Sequence, residues 1–184
     1  MNCSRFEYFL NAVHYCIYLE EIWSTKKFEG VILKVLHYLS RLFAFESFYK
    51  RKTDAYNKNS ELKEYMYGKN WGQSIGLAHH FFGYFYSGYP VFFSFVLGGF
   101  ALKLFDSPSN IVKLVLLAIP IGLCYIPAYK AVFTNDRYLK YFKQFEKEDE
   151  QWHKKWKRIT IAFCVGSVIV TLLGICMAFA IAIS

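Results

Sequence analysis

The chain has 184 residues, 55% of them hydrophobic and 21% aromatic, and carries a net charge of +8. Such a length makes one domain. A basic soluble domain would suggest nucleic acid, but here Lys and Arg crowd beside three nearly uncharged segments without any reading motif, which excludes that class. Cys3, Cys16, Cys124, Cys164 and Cys176 form no CxxC pair and no Cys/His spacing for zinc. Their odd number and scatter argue against a secreted disulfide scaffold. The opening MNCSRFEYFL lacks a basic stretch followed by an apolar one, so no cleavable signal is expected.

Residues 1–70 mix charged and apolar residues at helical spacing. Phe6, Phe9, Leu10, Val13, Cys16 and Ile17 follow an i, i+3, i+4, i+7 rule, and Glu20 and Glu21 end that stripe. A second stripe is cleaner: Phe28, Val31, Ile32, Val35, Leu36, Leu39, Leu42 and Phe43. Ser24 and Thr25 lie between the two and predict a helix start there. The expectation is an N-terminal amphipathic helical hairpin whose apolar face rests on the bilayer or on a membrane bundle. The alternative makes 31–49 a fourth span, at about 2.5–3.5 kcal/mol for each of Lys34, Arg41 and Glu46 near a helix centre. Residues 49–69 are polar and read as a linker or solvated helix.

The composition then changes. Residues 70–102 hold no formally charged side chain over 33 positions, which predicts an interfacial lead-in at 71–80 and a span at 81–102. Ser87, Gly88 and Pro90 should kink it, because Pro90 removes a backbone donor. Gly72 and Gly76 have the small-xxx-small spacing of close helix approach. Asp106, Ser107 and Pro108 mark a short polar turn, which makes the next helix an antiparallel neighbour. That helix, 111–133, is a second span with Lys113 and Lys130 near its ends, kinked at Pro120 and Pro127. Prolines are tolerated there where neighbouring helices satisfy the freed carbonyls.

Residues 134–158 are strongly charged yet periodic. Tyr138, Phe142 and Phe145 form a seam suited to a protein partner, and Trp152 and Trp156 continue it. Glu150 and Lys154 stand at i, i+4 in the favourable order. No Pro or Gly falls between Ala131 and Val165, so one long cytoplasmic helix is expected to run on into the last span, 159–184. That span carries no Asp, Glu, Lys, Arg or His. Trp152, Lys154, Lys155, Trp156, Lys157 and Arg158 announce it, in the pairing of rings and cations that anchors a helix at a membrane interface.

Lys and Arg number 11 in residues 1–70, two in 103–113 and nine in 130–158. The positive-inside rule then puts the first and third groups in the cytoplasm, with the N-terminus inside and the C-terminus outside. The fold class is thus an all-α integral membrane protein with three transmembrane helices (alternative four). Residues 1–70 form its interfacial part and 71–184 its membrane bundle. The Lys-, Ile- and Tyr-rich usage is compatible with a bacterial source from an AT-rich genome, and the expected location is the bacterial cytoplasmic membrane.

No constellation carries chemistry. His79 and His80 are an isolated pair pointing about 100° apart on a helix, too few for a metal box. The predicted spans hold no carboxylate for ion coupling or intramembrane proteolysis. No GxSxG and no phosphate-binding loop occurs. Glu146, Glu148, Asp149 and Glu150 read as a solvated charged face. No catalytic residue, metal site or cofactor is expected. The partners implied are the lipid bilayer and a protein, or a second copy through self-association. The leading expectation is a non-enzymatic accessory, scaffold or regulatory subunit acting by protein–protein contact; the alternative is an oligomeric pore-forming or membrane-disrupting effector, for which Gly166 and Gly174 would allow close packing.

Overall fold

A computed structural model describes residues 4–43, 45–105 and 109–183. Its elements are all helical: α1 (Arg5–Leu42), α2 (Glu46–Lys58), α3 (Ser60–Tyr67), α4 (Gln73–Leu104), α5 (Asn110–Val132), a 3-10 turn at Thr134–Asp136, α6 (Arg137–Phe145) and α7 (Glu150–Ile183). By length and composition, α4, α5 and α7 are each long and apolar enough to cross a membrane. Asp106, Ser107 and Pro108, the expected turn between α4 and α5, lie outside the described residues, as do Cys3 and Ser184. Contacts divide the chain into two units, Met1–Cys16 with His80–Ser184, and Ile17–His79.

In the first unit, α4 and α7 approach through small residues. Thr160, Ser167 and Gly174 recur every seventh position and are the buried residues of α7. A Cβ on Gly174 would lie 2.9 Å from the Phe92 backbone, and one on Gly99 would lie 2.8 Å from Ala178 Cα. Only glycine admits that separation, so van der Waals contact between backbones holds this pair. Tyr89 donates to the Phe163 carbonyl (2.8 Å) and Thr171 to the Gly88 carbonyl (3.2 Å). Gly174 is therefore spent on packing within the chain.

The prolines sit inside continuous helices, Pro90 in α4 and Pro120 and Pro127 in α5. Each proline of α5 has a compensating donor from α4. Ser94 donates to the Leu117 carbonyl (3.0 Å) and Tyr86 to the Cys124 carbonyl (3.1 Å). Both acceptors lie in the turn just before a proline, where the helical ladder is interrupted. The outward sides of the helices stay apolar, with Leu114 and Leu123 exposed.

The long helix expected over 134–184 is broken twice. Asn135 and Asp136 have φ of 56° and 51°, a left-handed conformation that Asn and Asp tolerate better than other non-glycine residues. They separate α5 from α6. The second break is at Asp149, whose carboxylate accepts the Trp152 N–H at 2.7 Å and so acts as the N-cap of α7. Just before it, Lys147 and Glu148 donate to the carbonyls three residues back, the tightened geometry of a helix end. Neither break needs Pro or Gly.

In the second unit a helix is longer than expected. The expected hairpin is absent: α1 continues through Ser24 and Thr25. Each costs at most about 0.7 kcal/mol in a helix interior, and Glu20, Glu21, Lys26 and Lys27 around them are good helix formers. α2 and α3 bury no residue. They are held by polar tips: Tyr49 donates to the Leu33 carbonyl and Tyr18 to the Tyr67 carbonyl, both at 2.8 Å. Gly72, with φ +127°, closes the turn before α4 and lies outside that helix, so the Gly72/Gly76 spacing is a turn feature.

Candidate functional site

The most organised polar cluster lies in the first unit, where the start of α1 meets the end of α5 and α6. Residues 10–16 of α1 are buried all round, and not along one stripe. Glu7, Asn11 and His14 stand at i, i+4 and i+7, on a face separate from the apolar stripe. Glu7 accepts a hydrogen bond from the Tyr141 hydroxyl at 3.1 Å and pairs with Arg137 at 3.5 Å. Asn11 donates to the Glu7 carbonyl (2.8 Å) and to the Ala131 carbonyl (3.1 Å). The second acceptor is one of the orphaned carbonyls at the C-terminus of α5, so Asn11 caps that helix from outside. Its own Oδ1 is buried without a partner.

His14 is fully buried among Phe82, Phe133, Tyr138 and Phe142, with ring centroids 5.2–5.6 Å away. Burial, and then the nearby Asp136 carboxylate, push the Tyr138 hydroxyl above its ordinary range, because both disfavour the phenolate. The left-handed pair Asn135–Asp136 adjoins this cluster. Backbone strain of that kind is a frequent mark of functional positions. Chemically the arrangement is a buried polar core in which Asn11 Oδ1 is a spare acceptor.

The structure puts Tyr138, Phe142 and Phe145 at 5%, 0% and 0% exposure. Their rings pack on Tyr8, His14 and Tyr15 of α1, so they form core and offer no exposed seam. Trp152 stacks on Phe145 at 4.8 Å across the turn at 146–149 and donates to the Tyr8 hydroxyl at 3.0 Å. Trp156 packs on Tyr8 and Phe9. The seam is thus brought together across the break at 146–149 and not by one straight helix. Lys154, Lys155, Lys157 and Arg158 stay exposed, and Lys154 forms the expected pair with Glu150 at 2.8 Å. Both partners are in solvent, so the pair adds little stability. Among the described residues no group of three or more His, Cys, Asp or Glu side chains is assembled for a metal.

The second unit has its own polar clasp. Tyr67 donates to the Glu29 carboxylate, Tyr56 joins the same group, and Lys26 lies over the Tyr67 ring at 5.3 Å. A cavity of about 440 Å³ adjoins it, lined by Ser24, Phe28, Glu29, Tyr56 and Met66 among others. Burial first, and Glu29 second, hold the Tyr67 hydroxyl well above its ordinary range. The eight stripe residues Phe28, Val31, Ile32, Val35, Leu36, Leu39, Leu42 and Phe43 are all exposed, between 41% and 67%.

Glu7, Asn11 and His14 were not legible in the sequence as a cluster. The available signal was the company they keep. Tyr8, Tyr15 and Tyr18 share that side of the helix, and tyrosine carries enough apolar surface to be buried while its hydroxyl bonds. No protein-family model, no curated protein and no solved structure matches the chain.

Proposed function

We propose that this protein is a three-span membrane protein acting as a non-enzymatic accessory or scaffold subunit, and that it meets its protein partner through the apolar face of α1 from Phe28 to Phe43. The observation that carries the reading is the exposure of all eight side chains of that face. Contiguous apolar surface of this kind marks an interaction site in a stable protein. Lys26, Lys27, Lys34 and Arg41 belong to the same stretch of helix, so a partner with an apolar groove and acidic edges fits best. Membrane insertion of α4, α5 and α7 has the N-terminus in the cytoplasm and the C-terminus outside, from the distribution of Lys and Arg. A bacterial cytoplasmic membrane fits the amino-acid usage. The pore-forming alternative has lost one of its supports, since Gly174 is occupied by α4 of the same chain.

The test is a photo-crosslinking residue at Val35 in cells. A discrete protein adduct that Leu39→Glu removes supports the reading. Adducts to lipid alone assign the face to the bilayer surface and overturn it. Conductance from purified protein in planar bilayers would revive the pore. For topology, a reporter fused after Ser184 should be active only outside the cytoplasm, and activity inside refutes three spans.

A further inference from the structure

The C-terminal ends of α4 and α7 and the N-terminal end of α5 line a groove of about 540 Å³. Its walls are apolar, with Phe95, Leu102, Leu116, Ile175 and Phe179 prominent, and its polar side chains are those of Ser94 and Lys113. Ser94 is committed to the Leu117 carbonyl. Lys113 has no carboxylate partner among the described residues. The groove is therefore an apolar trough with one ammonium group. Its volume lies within the roughly 300–1,000 Å³ of ordinary ligand sites.

Two adjacent glycines separate packing from vacancy. Gly99 has no Cβ because Ala178 leaves no room for one. Gly98 lines the groove, and a Cβ built there would meet nothing within 4 Å. Glycine in a helix interior is less favourable than alanine, and at Gly98 no helix contact offsets this. What it provides is depth in the groove.

We infer that this groove holds an acyl chain of an anionic bilayer lipid, with the lipid phosphate at Lys113. The inference rests on reading α4, α5 and α7 as membrane spans, because an acyl chain is the apolar partner that a bilayer supplies to such a trough. The charge decides the headgroup: an ammonium is a compact point charge that binds phosphate. A zwitterionic headgroup would bring a second cation to the same place.

Native mass spectrometry of the detergent-purified full chain tests this, after exchange with dioleoyl phosphatidylglycerol or dioleoyl phosphatidylcholine. The expected result is preferential retention of phosphatidylglycerol. Lys113→Gln should reduce that retention about fivefold, the effect of one basic group near an anionic headgroup, and leave phosphatidylcholine unchanged. Gly98→Leu should abolish retention of both lipids. Equal retention of the two by the native chain overturns the inference, as does phosphatidylglycerol retention indifferent to Lys113→Gln. A lipid-free dimer dissolved by Gly98→Leu overturns it too, in favour of a second copy as occupant. Lys113→Gln changes an exposed side chain and keeps the test valid if Gly98→Leu misfolds. Alkaline carbonate extraction separates the two readings. A chain that stays in the membrane but fails to discriminate lipids refutes only the lipid assignment, whereas a chain released from the membrane refutes the spans and this inference with them.

Discussion

The face of α6 with Tyr138, Phe142 and Phe145 and the face of α1 with Phe28 to Phe43 are both apolar helical stripes beside basic residues. Phe142 is 0% exposed and Phe28 is 67% exposed. The difference lies in the groups at their edges. On α6, Tyr141 reaches Glu7, and the stripe meets a tyrosine-rich face of α1 whose hydroxyls and rings it can satisfy. The stripe from Phe28 to Phe43 has purely aliphatic and phenylalanine side chains, so nothing on it specifies an orientation for a neighbour. Apolar area alone drives association, while polar tips decide with what and at which angle.

The sharpest way to break this contrast is to truncate one residue on each face. Phe142→Ala should cost about 3–5 kcal/mol by opening the aromatic core, whereas Leu39→Ala should change stability by no more than about 0.5 kcal/mol. Thermal unfolding of the detergent-solubilised protein reads both. Equal costs would mean that the Phe28–Phe43 face is already covered, and the contrast would be lost.

A smaller effect tests the helix pair that supports the core. Gly99→Leu should destabilise by about 1–3 kcal/mol, since Ala178 must move. Gly122→Ala, where a Cβ meets nothing within 4 Å, should be neutral or stabilise by up to about 1 kcal/mol. The same unfolding measurement ranks them, and a reversed order would place the tight contact elsewhere. Asp149→Ala should cost about 1 kcal/mol through loss of the α7 cap, and less helical signal by circular dichroism would accompany it.

The smallest effect is on alkaline stability, and it applies to both units. Tyr67 and Tyr138 have hydroxyls raised above the ordinary value of about 10. The unfolded chain therefore loses these protons first. Their contribution to stability is complete below pH about 10 and is lost as the pH rises towards the folded-state values. Tyr67→Phe and Tyr138→Phe should each flatten part of that alkaline decline. An unchanged profile in both variants would show that the hydroxyls titrate normally.

The three apolar helices were legible because lipid-spanning length is a composition signal that needs no partner. The Glu150–Lys154 pair was legible because it is local. The breaks at Asn135–Asp136 and Asp149 were not, because a search for Pro and Gly overlooks the residues that end helices by side-chain bonding or by tolerating positive φ. Ser24 and Thr25 misled in the opposite sense: they favour caps, yet the good helix formers on both sides carry the helix through them. The burial of Asn11 and His14 was hidden for a deeper reason. Their partners, Ala131 for one and Phe82, Phe133 and Phe142 for the other, are remote in sequence, and no local pattern announces a long-range pairing.

The reach of those pairings has a consequence for synthesis. Asn11 bonds to a carbonyl 120 residues later, and Tyr8 receives a hydrogen bond from a side chain 144 residues later. During synthesis α1 must therefore wait, with Tyr8, Phe9, His14 and Tyr15 unsheltered, until residues as far as Trp152 have been made. Early aromatic surface of this kind is prone to aggregate. The order of manufacture thus leaves α1 dependent on helices made long after it.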